Sequence, residues 1–419
     1  MSGITLDELT KAVEGGAAAV RAVTRLEPAG GPGDKVFPPT YMKEGQAETK
    51  YAFEQRQIDG REVRTVLLDS VASQANRMEE ALLEGWRSKE LHFPLVWVDF
   101  SGVEGLVDLE QISALQAPHR IADALLRDSE LAGKRFRDTE IGRAFTDARA
   151  AHATGMYKYC PTALIFGVWD STGPKGGLGS KFQRCLVSEI VGVDVVSGVK
   201  TASRLDPAAI EKVTVYKAKG GDDDWTANPS EALVEKGKPV ELGAGKKKGT
   251  PAALNHGNIP PSIDREAGGV TMAYAVQTVV LSLAGLRRLR FTTTVTGSSV
   301  PEDKRRDAEV AARTALSALA LSAIVYQREN DYDLRSRSLL IAKEPLVFQL
   351  LGRDGGEAVK FQLDRATAAR LLTDAHARAA DQGFGWERGP VELTPSKKLA
   401  DLIRQSRAVK ETESAETEA

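Results

Sequence analysis

Three features of the 419-residue sequence predict a mixed α+β fold. Short β-prone runs alternate with segments of helical apolar spacing, as expected of sheets covered by helices. One helical segment, 298–327, is long enough to span a domain. Residues 219–269 lose the apolar pattern and fill with Gly, Pro, Lys and Asp, which marks an insertion, since structureless loops of that length are uncommon inside compact domains.

Taken in order, Thr5 caps a first helix, and the Pro/Gly-rich stretch 28–41 interrupts regular structure. A strand from Val63 ends near Asp69 and Ser70. There a helix begins, with Met78, Leu82 and Leu83 on one face. Further strands are expected at 92–100, 162–169, 184–196 and 212–218, and helices at 109–128 and 138–153. The insertion is expected to project from the body. After it come a strand near 289–295 and the long helix, with a serine cap, Pro301 in its first turn and acids at the positive end of its dipole. A strand over 336–351 and helices near 365–380 and 396–407 complete the chain, and residues 408–419 read as a disordered acidic tail. No fixed-period repeat occurs.

Composition narrows the function. Hydrophobic residues make up 42% and charged residues 27%, a soluble globular balance. No apolar run approaches the roughly 18 residues of a membrane span, and the N-terminus lacks a signal-peptide core, so a cytoplasmic protein is expected. Cys160 and Cys185 read as buried thiols. The net charge of −2 argues against a generic nucleic-acid binder. Positive charge is segregated, however, into Lys175, Lys181 and Arg184, into Lys246, Lys247 and Lys248, and into Arg287, Arg288 and Arg290.

Motifs for chemistry are missing. There is no GK[ST] and no nucleophile elbow, the 168–195 loop lacks a dinucleotide fingerprint, and His92, His119, His152, His256 and His376 are scattered. Asp222, Asp223 and Asp224 read as a solvated turn, and Glu189 as the partner of a nearby cation. No cofactor, metal site or catalytic residue is expected. What remains is the Gly/Lys loop of "VWDSTGPKGGLGSKFQR", Val168 to Arg184. There Gly176, Gly177 and Gly179 allow close approach of a backbone, and Lys175, Lys181 and Arg184 supply charge for a phosphate. Gln74, Asn76 and Arg77, at the strand-to-helix junction, are candidates for the same ligand, although capping or a buried polar contact explains Gln74 and Asn76 equally well.

Four stretches, "FPPTY" (Phe37 to Tyr41), "LLDSVASQANRMEEALL" (Leu67 to Leu83), "ALIFGVWDSTGPKGGLGSKFQRCLVSEIVG" (Ala163 to Gly192) and "NIPPSI" with the later "GGVT", resemble the backbone subunit of type I-U (I-G) CRISPR Cascade effector complexes. That subunit is the Cas-seven branch of the RAMP superfamily. The resemblance extends from about Arg25 to Leu351. It implies an RRM-like (ferredoxin-like) palm, 60–217 and 270–351, with large insertions as fingers and thumb, and 219–269 is the thumb candidate. It also implies a non-catalytic protein that coats CRISPR guide RNA, stacks on further copies of itself beside other Cascade subunits, and meets target DNA through the guide in antiviral defence. A guide-coating protein accepts any spacer, so it holds phosphate and sugar and leaves bases free. Two rivals are a RAMP-family ribonuclease that processes guide RNA, for which His256 is the candidate, and a phosphate-ligand metabolic enzyme.

Overall fold

The computed structural model describes residues 3–42, 49–171, 173, 179–210, 212–220, 224–387 and 389–418, with side chains up to 409. The chain forms two compact units, one of residues 1–196 and 269–399, the other of 197–268 and 400–419. The fold is α+β, with an antiparallel sheet.

The first unit is built on β1 (Ala17–Pro28), β2 (Phe53–Ile58), β3 (Arg61–Asp69), β4 (Leu186–Ser197), β5 (Val270–Ser282), β6 (Tyr332–Asp333), β7 (Leu339–Ala342), β8 (Phe348–Gly352) and β9 (Val359–Phe361). The order is β6-β7-β1-β5-β4-β3-β2, with β8 also pairing with β1 and β9 with β8. In β1, Val20, Ala22, Thr24 and Leu26 are buried while Val23 and Arg25 are exposed, the period-2 pattern of a half-covered strand. Antiparallel pairing runs from Ala19 opposite Ser282 to Leu26 opposite Ala275.

Two helices cover the sheet, α1 (Val71–Arg87) and α2 (Glu302–Glu329); α3 (Arg365–Asp381) packs on α2. Ser70 caps α1 by accepting from the Ser73 amide at 3.2 Å, at the boundary the sequence indicates. Pro301 is itself the cap residue of α2, one position before its expected place, with Glu302 and Asp303 in the first turn. Every residue of α2 from Ala308 to Gln327 is buried. By length and hydropathy α2 passes as a membrane span, contrary to the sequence expectation, but the apolar window lies wholly inside the fold. Its alanines and Gly85 of α1 permit close helix contact: a Cβ at Gly85 would lie 2.7 Å from the Tyr326 ring.

Several expected elements differ. The strand at 162–169 is a helix, Pro161–Phe166, succeeded by the short strand Val168–Trp169, because Pro161 opens the helix and Gly167, at φ 81°, ends it. The helix at 109–128 is broken at Pro118 and contains the strand Gln111–Ser113 and the single turn Ala124–Arg127. Of the helix expected at 138–153 only Glu140–Thr146 forms, and the next helix, Thr154–Tyr159, begins just beyond it. No strand forms over 289–295, where the Phe291 amide instead donates to Glu309. The strand expected over 336–351 is two, β7 and β8.

In the second unit Lys200–Arg204 pairs antiparallel with Ile259–Asp264, so the excursion starts near 197 rather than 219. Between them lie short hairpins, Tyr216–Lys217 with Trp225–Thr226 and Val234–Glu235 with Lys238–Pro239. Val215, Ala232 and Leu242 are buried among these. The helix Lys397–Glu418 runs through the segment expected to be disordered.

Candidate functional site

The Gly/Lys loop closes a hairpin in which Val168–Trp169 pairs antiparallel with Lys181–Phe182. Gly167 stands at its entrance, where a Cβ would lie 3.0 Å from the Arg184 nitrogen and 3.1 Å from the Phe182 carbonyl oxygen. Both a left-handed φ and this crowding require glycine. The Asp170 amide donates to Ser180 at 2.8 Å, and the buried Asp170 carboxylate accepts from Arg137 at 2.8 Å, which fastens the loop's two ends. Lys175, Gly176 and Gly177 lie outside the described residues, as do Asp222 and Asp223. Gly179 precedes the second strand.

Lys181 is exposed, with its ammonium 4.8 Å from the centre of the Trp169 ring. Trp169 is itself 54% exposed. A tryptophan held outward beside a cation presents a π-face and a positive charge together, the pairing that single-stranded nucleic acid meets on its binding proteins.

Arg184 is half-buried, its Nε donating to the Phe166 carbonyl at 3.1 Å. Burial, reinforced by the nearby Arg120 guanidinium, depresses its pKa, and the Glu79 carboxylate opposes this shift. Arg120 holds both oxygens of the buried Glu79, and its guanidinium lies 5.7 Å from the Phe166 ring centre. Burial pushes the Glu79 carboxyl up, while Arg120 pulls it down. Glu79 is thus taken by Arg120, and Arg184 has no ion-pair partner of its own among the described residues, an arrangement suited to an anion.

The junction residues divide. Gln74 is fully buried: its amide donates to Asp69 at 2.6 Å and its oxygen accepts from Ser188 and Gln277, both at 2.8 Å. Arg77 donates to Asp69 at 3.0 Å and to the Leu334 carbonyl at 2.6 Å. Gln74 thus serves the core, while Arg77 is held by these bonds and remains partly exposed. Asn76 is exposed, two helical positions after Gln74 and one before Arg77.

Lys246, Lys247 and Lys248 are all exposed, around the short turn Gly245–Lys247 of the second unit. The third basic group is engaged within the protein. Arg287 reaches the Val13 carbonyl at 3.2 Å, Arg288 the Gln183 side chain at 2.8 Å and Arg290 the Glu309 carboxylate at 2.9 Å. Glu189 pairs with Arg56 at 2.6 Å, as its strand position indicates, and this contact raises the Arg56 pKa. Cys160 and Cys185 are buried thiols, each pushed up to about 11 by burial.

Sequence reasoning missed Trp169 and Arg120. Trp169 reads in sequence as part of an apolar strand; Pro161 and Gly167 are the signals that place it on a hairpin instead. The sheet carries two further stacked arginines, Arg25 over Tyr274 and Arg64 over Phe53, each 4.2 Å from the ring centre.

Residues 20–197 match the family model described as CRISPR-associated protein GSU0053 (Cas_GSU0053). The hairpin, Glu79 and Arg120 all fall within this span, and the three-lysine turn falls outside it. No curated protein matches the chain.

Proposed function

Because residues 20–197 match the family model of a CRISPR-associated protein, we propose that the chain is the non-catalytic, guide-RNA-coating backbone subunit of a type I-U (I-G) Cascade complex. The observation that carries this reading is the hairpin with exposed Trp169 stacked on Lys181 and, at its base, Arg184, which has no ion-pair partner among the described residues. Lys181 and Arg184 hold phosphates, and Trp169 offers a surface for a base or ribose. Neither contact depends on which base is present, so any guide is accepted. Gly179 lets RNA approach the loop closely, and the turn carrying Lys246 to Lys248 supplies a further contact to RNA or to a neighbouring copy.

The topology supports an RRM-like palm. Following β1, α1, β4, β5, α2 and β8 gives strand–helix–strand–strand–helix–strand, and these strands lie in the order β8-β1-β5-β4. This order is the one expected of a ferredoxin-like palm, with the β2–β3 hairpin extending the edge beyond β4. The palm then begins with β1 at Ala17, ahead of the boundary near residue 60 that the sequence indicates. Copies stack head-to-tail along the guide in the cytoplasm, beside other Cascade subunits. Target DNA is read by pairing with the guide, so the protein supplies position rather than sequence discrimination.

The test is filter binding of the purified chain to two guides of unrelated sequence. Trp169→Ala with Lys181→Ala should weaken both by the same factor, about ten-fold or more. Undiminished binding, or a loss confined to one guide, would overturn the assignment of this hairpin to the RNA.

A further inference from the structure

A second concave surface of the first unit shares no residue with the hairpin. It encloses about 600 Å³ between the C-terminal end of α1 and the segment after α3, lined by Trp86, His92, Phe93, His376 and Trp386 with Arg87 and Lys89 on its rim. That volume falls in the usual range of small-ligand sites.

The aromatic walls are held in place. The Trp86 indole donates to the Phe93 carbonyl at 3.1 Å and meets Trp97 edge-on, with ring centres 5.4 Å apart. His376 lies flat on Trp386, ring centres 4.6 Å apart and planes within 16°. The Trp386 amide donates to His376 Nε2 at 3.0 Å, so that nitrogen is the unprotonated acceptor and the ring proton sits on Nδ1.

Charge on the rim is one-sided. Arg87, Lys89 and His92 are exposed, and their side chains have no hydrogen-bond or ion-pair partner among the described residues. The carboxylate at the edge, Glu387, is neutralised by Lys158 at 3.6 Å. Rigid aromatic walls beside uncompensated cations complement a ligand that joins a flat ring to an anion.

We propose that this groove binds a nucleotide, with its base against the Trp86 and His376 rings, the latter backed by Trp386, and its phosphate at Arg87, Lys89 and His92. Two sources share that chemistry, a free mononucleotide and an unpaired nucleotide of a single strand.

The test uses the full chain carrying Trp169→Ala, Lys181→Ala and Arg184→Ala, so that the hairpin does not contribute. Tryptophan fluorescence is titrated with AMP, with pentathymidylate and with inorganic phosphate. Saturable quenching by the nucleotides is expected, and Arg87→Ala with Lys89→Ala should weaken it ten-fold or more without changing the melting curve, since both side chains are exposed. Comparable affinities for AMP and the pentamer identify a free nucleotide as the ligand. Affinity for the pentamer ten-fold or more tighter identifies a strand. No saturable quenching, equal binding by the double variant, or phosphate binding as tightly as AMP would overturn the proposal. The result is independent of the hairpin, whose own failure would show as guide binding insensitive to Lys181 and Arg184.

Discussion

Arg120 grips Glu79 through both carboxylate oxygens, Nε to Oε1 at 2.6 Å and Nη2 to Oε2 at 2.8 Å, while its Nη1 reaches the Gly167 carbonyl at 3.4 Å. Helix α1 is thereby tied to the entrance of the hairpin. Arg120 occupies a left-handed conformation, φ 54°, which a non-glycine residue adopts at a cost that its contacts must offset. Replacing Arg120 with Ala leaves a buried carboxylate without its partner, and a loss of about 3–5 kcal/mol is expected. Glu79→Gln, which removes the charge but keeps the shape, should lose less. Urea unfolding of the two variants measures the difference, and a smaller loss for Arg120→Ala would contradict it.

Lys181→Ala with Arg184→Ala should lower the salt dependence of RNA binding. Removing one phosphate interaction with a single strand reduces the slope of log K against log salt by about 0.7. Removing two therefore predicts a drop of about 1.4, equal for unrelated guides. Filter binding across a salt series checks this, and an unchanged slope removes both residues from the interface.

Gly85→Ala tests the packing of α1 against α2. The new methyl would meet Tyr326 ring atoms at 2.7 and 2.9 Å and the Leu91 side chain at 2.8 Å, all below van der Waals distance. Overpacking of this kind costs about 1–3 kcal/mol. Chemical unfolding should show the loss, with RNA affinity of the folded fraction unchanged.

The second unit can be separated from the first by design. Joining Arg204 to Ile259 with a short Gly/Ser turn keeps their paired strands and removes the hairpins between them. The first unit should melt as before, since its core residues are its own, while reconstituted protein–guide assemblies should become shorter. Full-length assemblies would show that the excursion has no part in stacking.

Purified protein should leave repeat RNA intact with or without divalent metal. Sequence-specific cleavage that disappears in His256→Ala would favour the ribonuclease reading instead.

The β3–Ser70–α1 unit was legible because a cap, a strand period and a helix period agree at one boundary. Strand β1 was not. Its alanine-rich run favours helix locally, and its partners in β5 and β8 lie some 250 and 330 residues away, so tertiary pairing overrides propensity. For Gln74 the sequence allows a ligand contact or a buried polar contact, and the second holds, for a related reason. A polar residue in the first turn of a helix resembles a ligand contact until its partners, Ser188 and Gln277, arrive from two other strands. Burial of Arg120 against Glu79, 41 positions apart, leaves no local pattern at all.

The uniform burial of α2 from Ala308 to Gln327 bears on how the chain is made. Its cover comes from both directions, α1 emerging some 215 residues earlier and α3 ending 52 residues later. At a synthesis rate of about 5–20 residues per second, several seconds pass between release of the last turn of α2 and arrival of the end of α3. Throughout that interval a helix that satisfies the length and hydropathy of a bilayer span is incompletely covered. In that interval the nascent chain exposes an apolar helix face, the kind of surface that drives aggregation and that chaperones cover.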